Sequence, residues 1–237
     1  MTPQERTAAL RRVAATLDRI DTPAYEADGR DPLEPILGGG DPSCRVAFFG
    51  RDPGRDEVRH QQPFIGKGGQ LIRNVLHSII EGEPCPNFRA SERIGRVAFW
   101  ANTVPYKPIG NKAWSVSTRR AVQPVIADLL VHGWRGSDVM CLGQNAFLWF
   151  GLNGSREDRA RLKDAWTAEP RFEAAPAEID LTAPDGASRR LRVWPVPHPS
   201  PLNATWHKRF PSLLAQRLDR VGFGPNTWRL DANDRGT

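Results

Sequence analysis

The stretch CRVAFFGRDPG, Cys44 to Gly54, passes from an unbroken apolar run into a polar loop within a few residues. Val46-Ala47-Phe48-Phe49 shows no alternation of apolar and polar positions and is too short for a helix of its own. That pattern predicts a strand buried on both faces, as in a parallel sheet. The loop continues as RDEVRHQQPFIGKGGQL and enters a helical pattern over Gln70–Glu81. A strand, a glycine-rich basic loop and a helix suggest an anion cradle, yet neither G-x-G-x-x-G nor G-x-x-x-x-G-K-[ST] is present. An Asp-Pro pair, Asp52-Pro53, stands at the apex instead.

The same unit recurs along the chain. Apolar runs at Gly95–Asn102 and Ser137–Gly143 are each followed by a loop and a helical pattern, Thr118–His132 and Gln144–Gly151. Alternating segments at Arg171–Leu181 and Arg189–Val196 read as a hairpin turning at Ala183-Pro-Asp-Gly. A helix is expected over residues 4–20, an irregular connection over Asp21–Pro42, a helix over Thr205–Val221, and a frayed polar end after it. These elements predict an α/β fold: a three-layer α/β/α sandwich around a central, mainly parallel, roughly four-stranded sheet.

The 237 residues suffice for one larger α/β domain or two small ones, and need no disulfide or metal staple. A formal charge of +6 points to an anionic partner, nucleic acid first, although a basic soluble enzyme fits equally. Three widely spaced cysteines, Cys44, Cys85 and Cys141, argue against a disulfide framework and for a reducing, cytoplasmic setting. No apolar stretch approaches the length of a membrane span, and no signal-peptide core is evident, so no membrane is expected.

In parallel sheets ligands bind beyond the carboxyl ends of the strands. Three polar motifs fall there: GRDPG after the first strand, NTVPYKP after the second, and HPSPL after the last. Asp-Pro ordinarily makes turns. Beside Arg51 and Arg55, Asp52 should nevertheless stay ionised, and an ionised carboxylate can orient or deprotonate a water. His198, between two prolines, is a stiff platform for a proton donor or simply a tight bend. Asn102 ends a buried run and can donate and accept along one edge, which suits base reading as well as capping. Phe64 lies outside any regular apolar pattern and serves either core packing or the stacking of a planar ligand.

Taken together, these residues resemble the signatures of the uracil-DNA glycosylase superfamily. The opening loop is closest to the thermophile-type (family 4) members, G-E-A-P-G-x-x-E-D-x-x-G-x-P-F-V-G-R-A-G-x-L. Gly50, Pro53, Gly54, Glu57, Pro63, Phe64, Gly66, Gly69 and Leu71 stand at matching places. His198 to Leu202 matches the second signature, and Asn102 falls where the uracil-reading asparagine stands. The resemblance, over about residues 44–210, implies a monofunctional DNA glycosylase of base excision repair that flips uracil out of DNA and leaves an abasic site. It divides the chain into an N-terminal segment (1–43), a catalytic domain (44–222) and a tail (223–237). It implies Asp52 and His198 as catalytic groups, with Phe64, Asn102, Gly69 and Gln70 holding uracil. It also implies Leu202 as a wedge, with Pro199 and Ser200 pressing on the DNA backbone; Lys67, Lys107, Lys112, Arg119 and Lys208, in or near the cleft loops, are candidate phosphate contacts or simply a solvated basic face. The expected partner is uracil-containing DNA, single- or double-stranded, bound by a monomer associated with the bacterial nucleoid.

Where the chain departs from the pattern, it combines two families. Family 4 has Glu-Ala where this chain has Arg51-Asp52; the acid matches the common bacterial and human type (family 1), leaving Asp56 and Glu57 as fallback candidates. Gly54 replaces a tyrosine that excludes the thymine methyl in family 1, which leaves open hypoxanthine, xanthine or mismatched thymine as the target. Family 4 also binds an iron–sulfur cluster through four cysteines, but Tyr106 and Val122 stand at two of those places and residues 1–43 contain no cysteine. No metal and no cofactor are therefore expected. A non-catalytic module binding damaged or abasic DNA is the reading from another class.

Overall fold

Five strands, β1 (Val46–Gly50), β2 (Phe99–Asn102), β3 (Asp138–Leu142), β4 (Ala177–Thr182) and β5 (Ser188–Val196), build one sheet ordered β2-β1-β3-β5-β4 in the computed structural model, which describes residues 1–200 and 204–230. β2, β1, β3 and β5 run parallel; β4 is the antiparallel edge, paired to β5 through the expected turn. The hairpin arm thus adds a fifth strand to the four anticipated. Its burial alternates, Ala177, Ile179 and Leu181 inward and their neighbours outward, as an edge strand with one wet face should.

β1 and β3 are buried at every position because helices cover both faces. Ala47, Phe49, Val139 and Cys141 pack toward α1 (Pro3–Ala14), α6 (Val116–His132), α7 (Gln144–Trp149) and α8 (Arg156–Thr167). Val46, Phe48, Met140 and Leu142 pack toward α4 (Lys67–Glu81), α5 (Phe88–Ile94) and α10 (Phe210–Arg220). The shorter α2 (Thr22–Glu26), α3 (Arg55–His60) and α9 (Ala204–His207) complete the described helices longer than a single 3-10 turn. None is long and apolar enough to cross a membrane.

Several boundaries differ from expectation. α1 stops at Ala14, and Ile20 instead forms a bridge with Pro108 that draws the chain toward the NTVPYKP loop. Gly95–Val97 is a 3-10 turn rather than strand, since the Gly95 carbonyl accepts the Trp100 indole N–H at 2.6 Å. The last helix is split, and α10 begins afresh at Phe210-Pro211, where proline is tolerated only in the first turn. The connection over Asp21–Pro42 contains α2, and α3, α5 and α8 occupy stretches expected to be loop. Nor is all of the C-terminal tail free: the Arg45 N–H donates to Trp228 O at 2.9 Å and the Leu230 N–H to Ser43 O at 2.9 Å, alongside the entry to β1. The residues beyond 230 lie outside those described.

One polar group ties the parallel strands together inside this core. Asp138, 1% exposed on β3, accepts the Trp194 indole N–H at 2.8 Å and the Arg192 guanidinium at 2.5 Å from β5. Asp138→Ala leaves the indole N–H unpaired in the core and is expected to cost about 1–3 kcal/mol, read as a lower urea midpoint with an unchanged slope.

Candidate active site

The register aligns Gly50 with Asn102 and Leu142 with Val196, so the carboxyl ends of β1, β2, β3 and β5 form a common rim. A cavity of about 290 Å³ opens there, lined by Asp52, Phe64, Lys67, Gly69, Asn102, His198 and Pro199 among others. The three motifs expected to converge do converge. Larger hollows elsewhere, of about 560 and 460 Å³, contain no pairing of a buried carboxylate with an imidazole.

Phe64 forms one wall in an unusual backbone state, φ 56°. That region is costly for a residue with a Cβ and persists only when neighbours impose it. Arg73, fully buried on α4, imposes it: its guanidinium donates to Phe64 O at 2.9 Å, Ser91 O at 2.7 Å and Pro63 O at 3.3 Å, and lies 4.9 Å over the Trp100 ring. Two glycines make room. A Cβ on Gly69 would fall 1.8 Å from Phe64 O, and one on Gly50 would fall 2.5 Å from the Phe64 ring. The ring rests tilted on Trp100, 5.2 Å between centroids, and its remaining face belongs to the cavity. Phe64 is therefore both core and wall, and the two roles weighed for it are not exclusive.

Opposite stands the GRDPG loop, held from two sides. Thr103, just past β2, donates from its hydroxyl to Arg51 O at 2.5 Å and from its N–H to Gly50 O at 2.8 Å. Glu57 accepts the Gly54 N–H at 2.9 Å on one oxygen and the Gly66 N–H at 2.8 Å on the other. It clamps the first loop to the start of α4, and with both oxygens so engaged it is a brace rather than a base. The Gly66 carbonyl accepts the Gln70 N–H at 2.8 Å, closing the first turn of α4. The Lys67, Gly68 and Gly69 amides that precede it have no partner within the helix, and Gly69 lines the cavity.

Asp52 is nearly sealed, with 3% of its side chain exposed, and accepts the Arg51 Nε–H at 2.8 Å. Burial pushes its carboxyl up to about 6, against the pull of Arg51, Lys107 and Arg119. Desolvation outweighs the neighbouring cations and raises the pKa where charge alone would lower it, yet a carboxyl near 6 is still mostly ionised at neutral pH. His198 keeps an exposed flank at the cavity mouth, so its desolvation is that of a cleft group and not of a core one. That partial burial, and then the charge of Arg51, lower its pKa below the ordinary imidazole value and favour the neutral ring.

Other expected residues fall elsewhere. The Lys107 amine is buried, paired with Asp21 at 2.6 Å and donating to Pro108 O at 3.2 Å. It supplies positive potential beneath Asp52 and is no surface phosphate contact. The Gln70 side chain turns away, donating to Ile65 O at 2.8 Å and accepting from the Ser91 hydroxyl at 2.7 Å. Its backbone N–H is spent inside α4. Arg119 is half-buried, its guanidinium directed at Asn145 at 3.4 Å. Lys112 and Lys208 are exposed and, like Ser200, do not line the cavity; Asp56 does, as an exposed rim carboxylate. Leu202 lies outside the described residues.

The cysteines do not fit a cluster. Cys44 and Cys141 are both buried, the first with its thiol against Arg96 O at 3.2 Å and the second inside β3. Burial pushes the Cys44 thiol up to about 12, away from the thiolate a metal needs. At the positions where the resemblance would place ligands, Val122 is core and the buried Tyr106 hydroxyl donates to Leu33 O at 3.1 Å.

The family model of the uracil DNA glycosylase superfamily matches residues 37–222, most of the chain and all of the strands.

Two outcomes are expected from this geometry. Glu57→Gln turns an amide N–H₂ toward one of the two backbone N–H groups and should cost about 1.5–3 kcal/mol in urea unfolding. For Asp52, a carboxyl whose folded pKa is raised binds its proton more tightly when folded, so stability falls as pH rises from about 4 to 6. Asp52→Asn should therefore stabilise the protein at pH 8 by up to about 3 kcal/mol, with the gain vanishing near pH 3 when urea midpoints of both proteins are compared.

Proposed function

Since the chain belongs to the uracil DNA glycosylase superfamily, we propose that this DNA glycosylase removes uracil from DNA by hydrolysing the N-glycosidic bond. The observation that carries the proposal is the meeting of Asp52, Asn102, His198 and the open face of Phe64 around one cavity at the strand ends. A flipped uracil fits the chemistry of these walls: stacking on Phe64, edge hydrogen bonds with Asn102, and the α4 amide near Gly69 toward a uracil carbonyl. As the bond from C1′ to N1 breaks, its electron pair passes to the base, and His198, neutral, donates a hydrogen bond to the uracil oxygen that gains charge. Asp52 stabilises the sugar cation and takes a proton from the water whose oxygen bonds to C1′. Asp52 then gives its proton up to solvent, from which the departing uracil anion takes one at nitrogen, so the products are an abasic site and free uracil. A carboxyl near 6 is matched to this work at neutral pH, being ionised yet basic enough to accept a proton.

Pro199 borders the cavity close to Gly68, in position to press on the DNA backbone, and Lys67 at the exposed rim can meet a phosphate. A monofunctional, cofactor-free monomer is the corresponding reading; the Lys107 amine is held by Asp21, and Lys67, the lysine that lines the cavity, stands at its exposed rim.

Base choice has a second reading. A Cβ on Gly54 would meet Glu57 Oε2 at 2.8 Å, so the clamp that builds the loop leaves no room there for a side chain excluding the thymine methyl. This favours a wider set of bases, including mismatched thymine or hypoxanthine.

The test is alkali-dependent strand cleavage of oligonucleotides bearing single modified bases. Wild type should cleave at uracil only after alkali and give no borohydride-trapped adduct. Asp52→Asn should lose about 10²–10⁴ in rate, and His198→Ala about 10²–10³. Wild-type kcat/KM should fall as pH drops through about 6. Excision of hypoxanthine alone would replace uracil as substrate, and tight binding without excision of any base would replace the enzyme with a binding module.

A further inference from the structure

A groove leaves the active-site cavity past the start of α4. A hollow of about 430 Å³ shares Asp56, Gly66 and Lys67 with the cavity and ends on His60 and Phe88. Phe88 opens α5 and is 45% exposed, a large apolar ring left in water beside a polar cleft. Its centroid lies 5.3 Å from that of the exposed His60, the rings tilted by 43°. Arg89, the next residue of α5 after Phe88, borders a separate hollow of about 560 Å³ together with Arg93, Arg96 and Glu92. All three arginines are exposed, and their spacing sets them along one stripe of α5 and the turn after it. Among the described residues none of them forms an ion pair. With Lys67 they outnumber the two carboxylates of the groove, Asp56 and Glu92.

An aromatic face interleaved with cations and leading out of a nucleotide cavity is the arrangement that holds an unpaired strand: rings stack on bases while cations follow phosphates. A base within a duplex keeps both faces against its neighbours and offers only its edges in the grooves, so an open phenyl face is useful only to an unpaired base. We propose that this groove is a second nucleotide subsite for single-stranded DNA, in which Phe88 stacks on a base flanking the flipped one while Arg89 and Arg93 hold the adjoining phosphates. The proposal rests on the glycosylase reading only for placing the strand in the cavity.

The test uses the full chain and two readouts. In fluorescence anisotropy with a labelled single-stranded thymine oligonucleotide, Phe88→Ala should weaken binding about five- to hundredfold, while Phe88→Tyr should bind close to wild type. The Arg89→Ser/Arg93→Ser pair should lower the slope of log K against log salt by about 0.7 for each phosphate no longer neutralised. Binding of the corresponding duplex should be unchanged by Phe88→Ala, and circular dichroism melts should coincide because the ring is exposed. Wild-type affinity of Phe88→Ala for the single strand, or an equal loss on duplex and single strand, overturns the subsite. Excision of uracil, measured in parallel, reports separately on the glycosylase reading: failure there leaves the anisotropy result standing, and the reverse also holds.

Discussion

Both faces of the parallel strands are closed by helices, and that single constraint governs where chemistry can happen in this protein. Inside such a sheet a polar side chain must be fully partnered, as Asp138 is by Trp194 and Arg192. The carboxyl ends, where four strands finish almost level, let polar groups approach one another without being sealed on all sides. Asp52 stands just at that boundary. It is close enough to the core for burial to dominate its protonation, and it still lines the cavity.

The loops around it are irregular, and their shape is maintained by charged side chains acting on backbone groups. Arg73 gathers three carbonyls on one side, while Glu57 gathers two amides on the other. Arg73 does not line the cavity and Glu57 lines it with both oxygens already engaged, and together they hold Phe64 and Gly54 at fixed positions. The left-handed backbone of Phe64 is the measure of this control: a conformation the free chain would avoid is sustained by a buried guanidinium and by two glycines whose missing Cβ atoms open the space.

Much of this is legible in the sequence. The unbroken apolar runs mark the buried strands because flanking helices remove the need for alternation, and the polar motifs at their ends mark the site. Helices α3, α5 and α8 escape such a reading because short or strongly polar segments carry little periodicity. Even so, Ser155-x-x-Asp158 is a capping box in plain view, with the Ser155 hydroxyl accepting the Asp158 N–H at 3.0 Å. Arg73 also leaves a trace, falling on the same face of α4 as Gly69, Ile72 and Leu76, where a charge must have work to do. The protonation of Asp52 and the burial of Lys107 are not legible, since both depend on how tightly distant segments close over them. Sequence neighbours name the charges around Asp52; only the fold can weigh them against desolvation.

The entry to β1 is flanked by residues 228–230, and the far end of the same strand meets the loop that bears His198. β1 is thus completed at both ends by the last portion of the described chain. Among the strands β1 and its Asp52 loop emerge first in synthesis, with an apolar ribbon unpaired until β2 arrives on one side and β3 on the other. Long-range parallel pairing of this kind is slow relative to local helix formation. Until it finishes, Asp52 sits in water as an ordinary carboxylate and His198 has no partner across a cavity. The cavity at the strand ends therefore takes shape with the final docking step and not before.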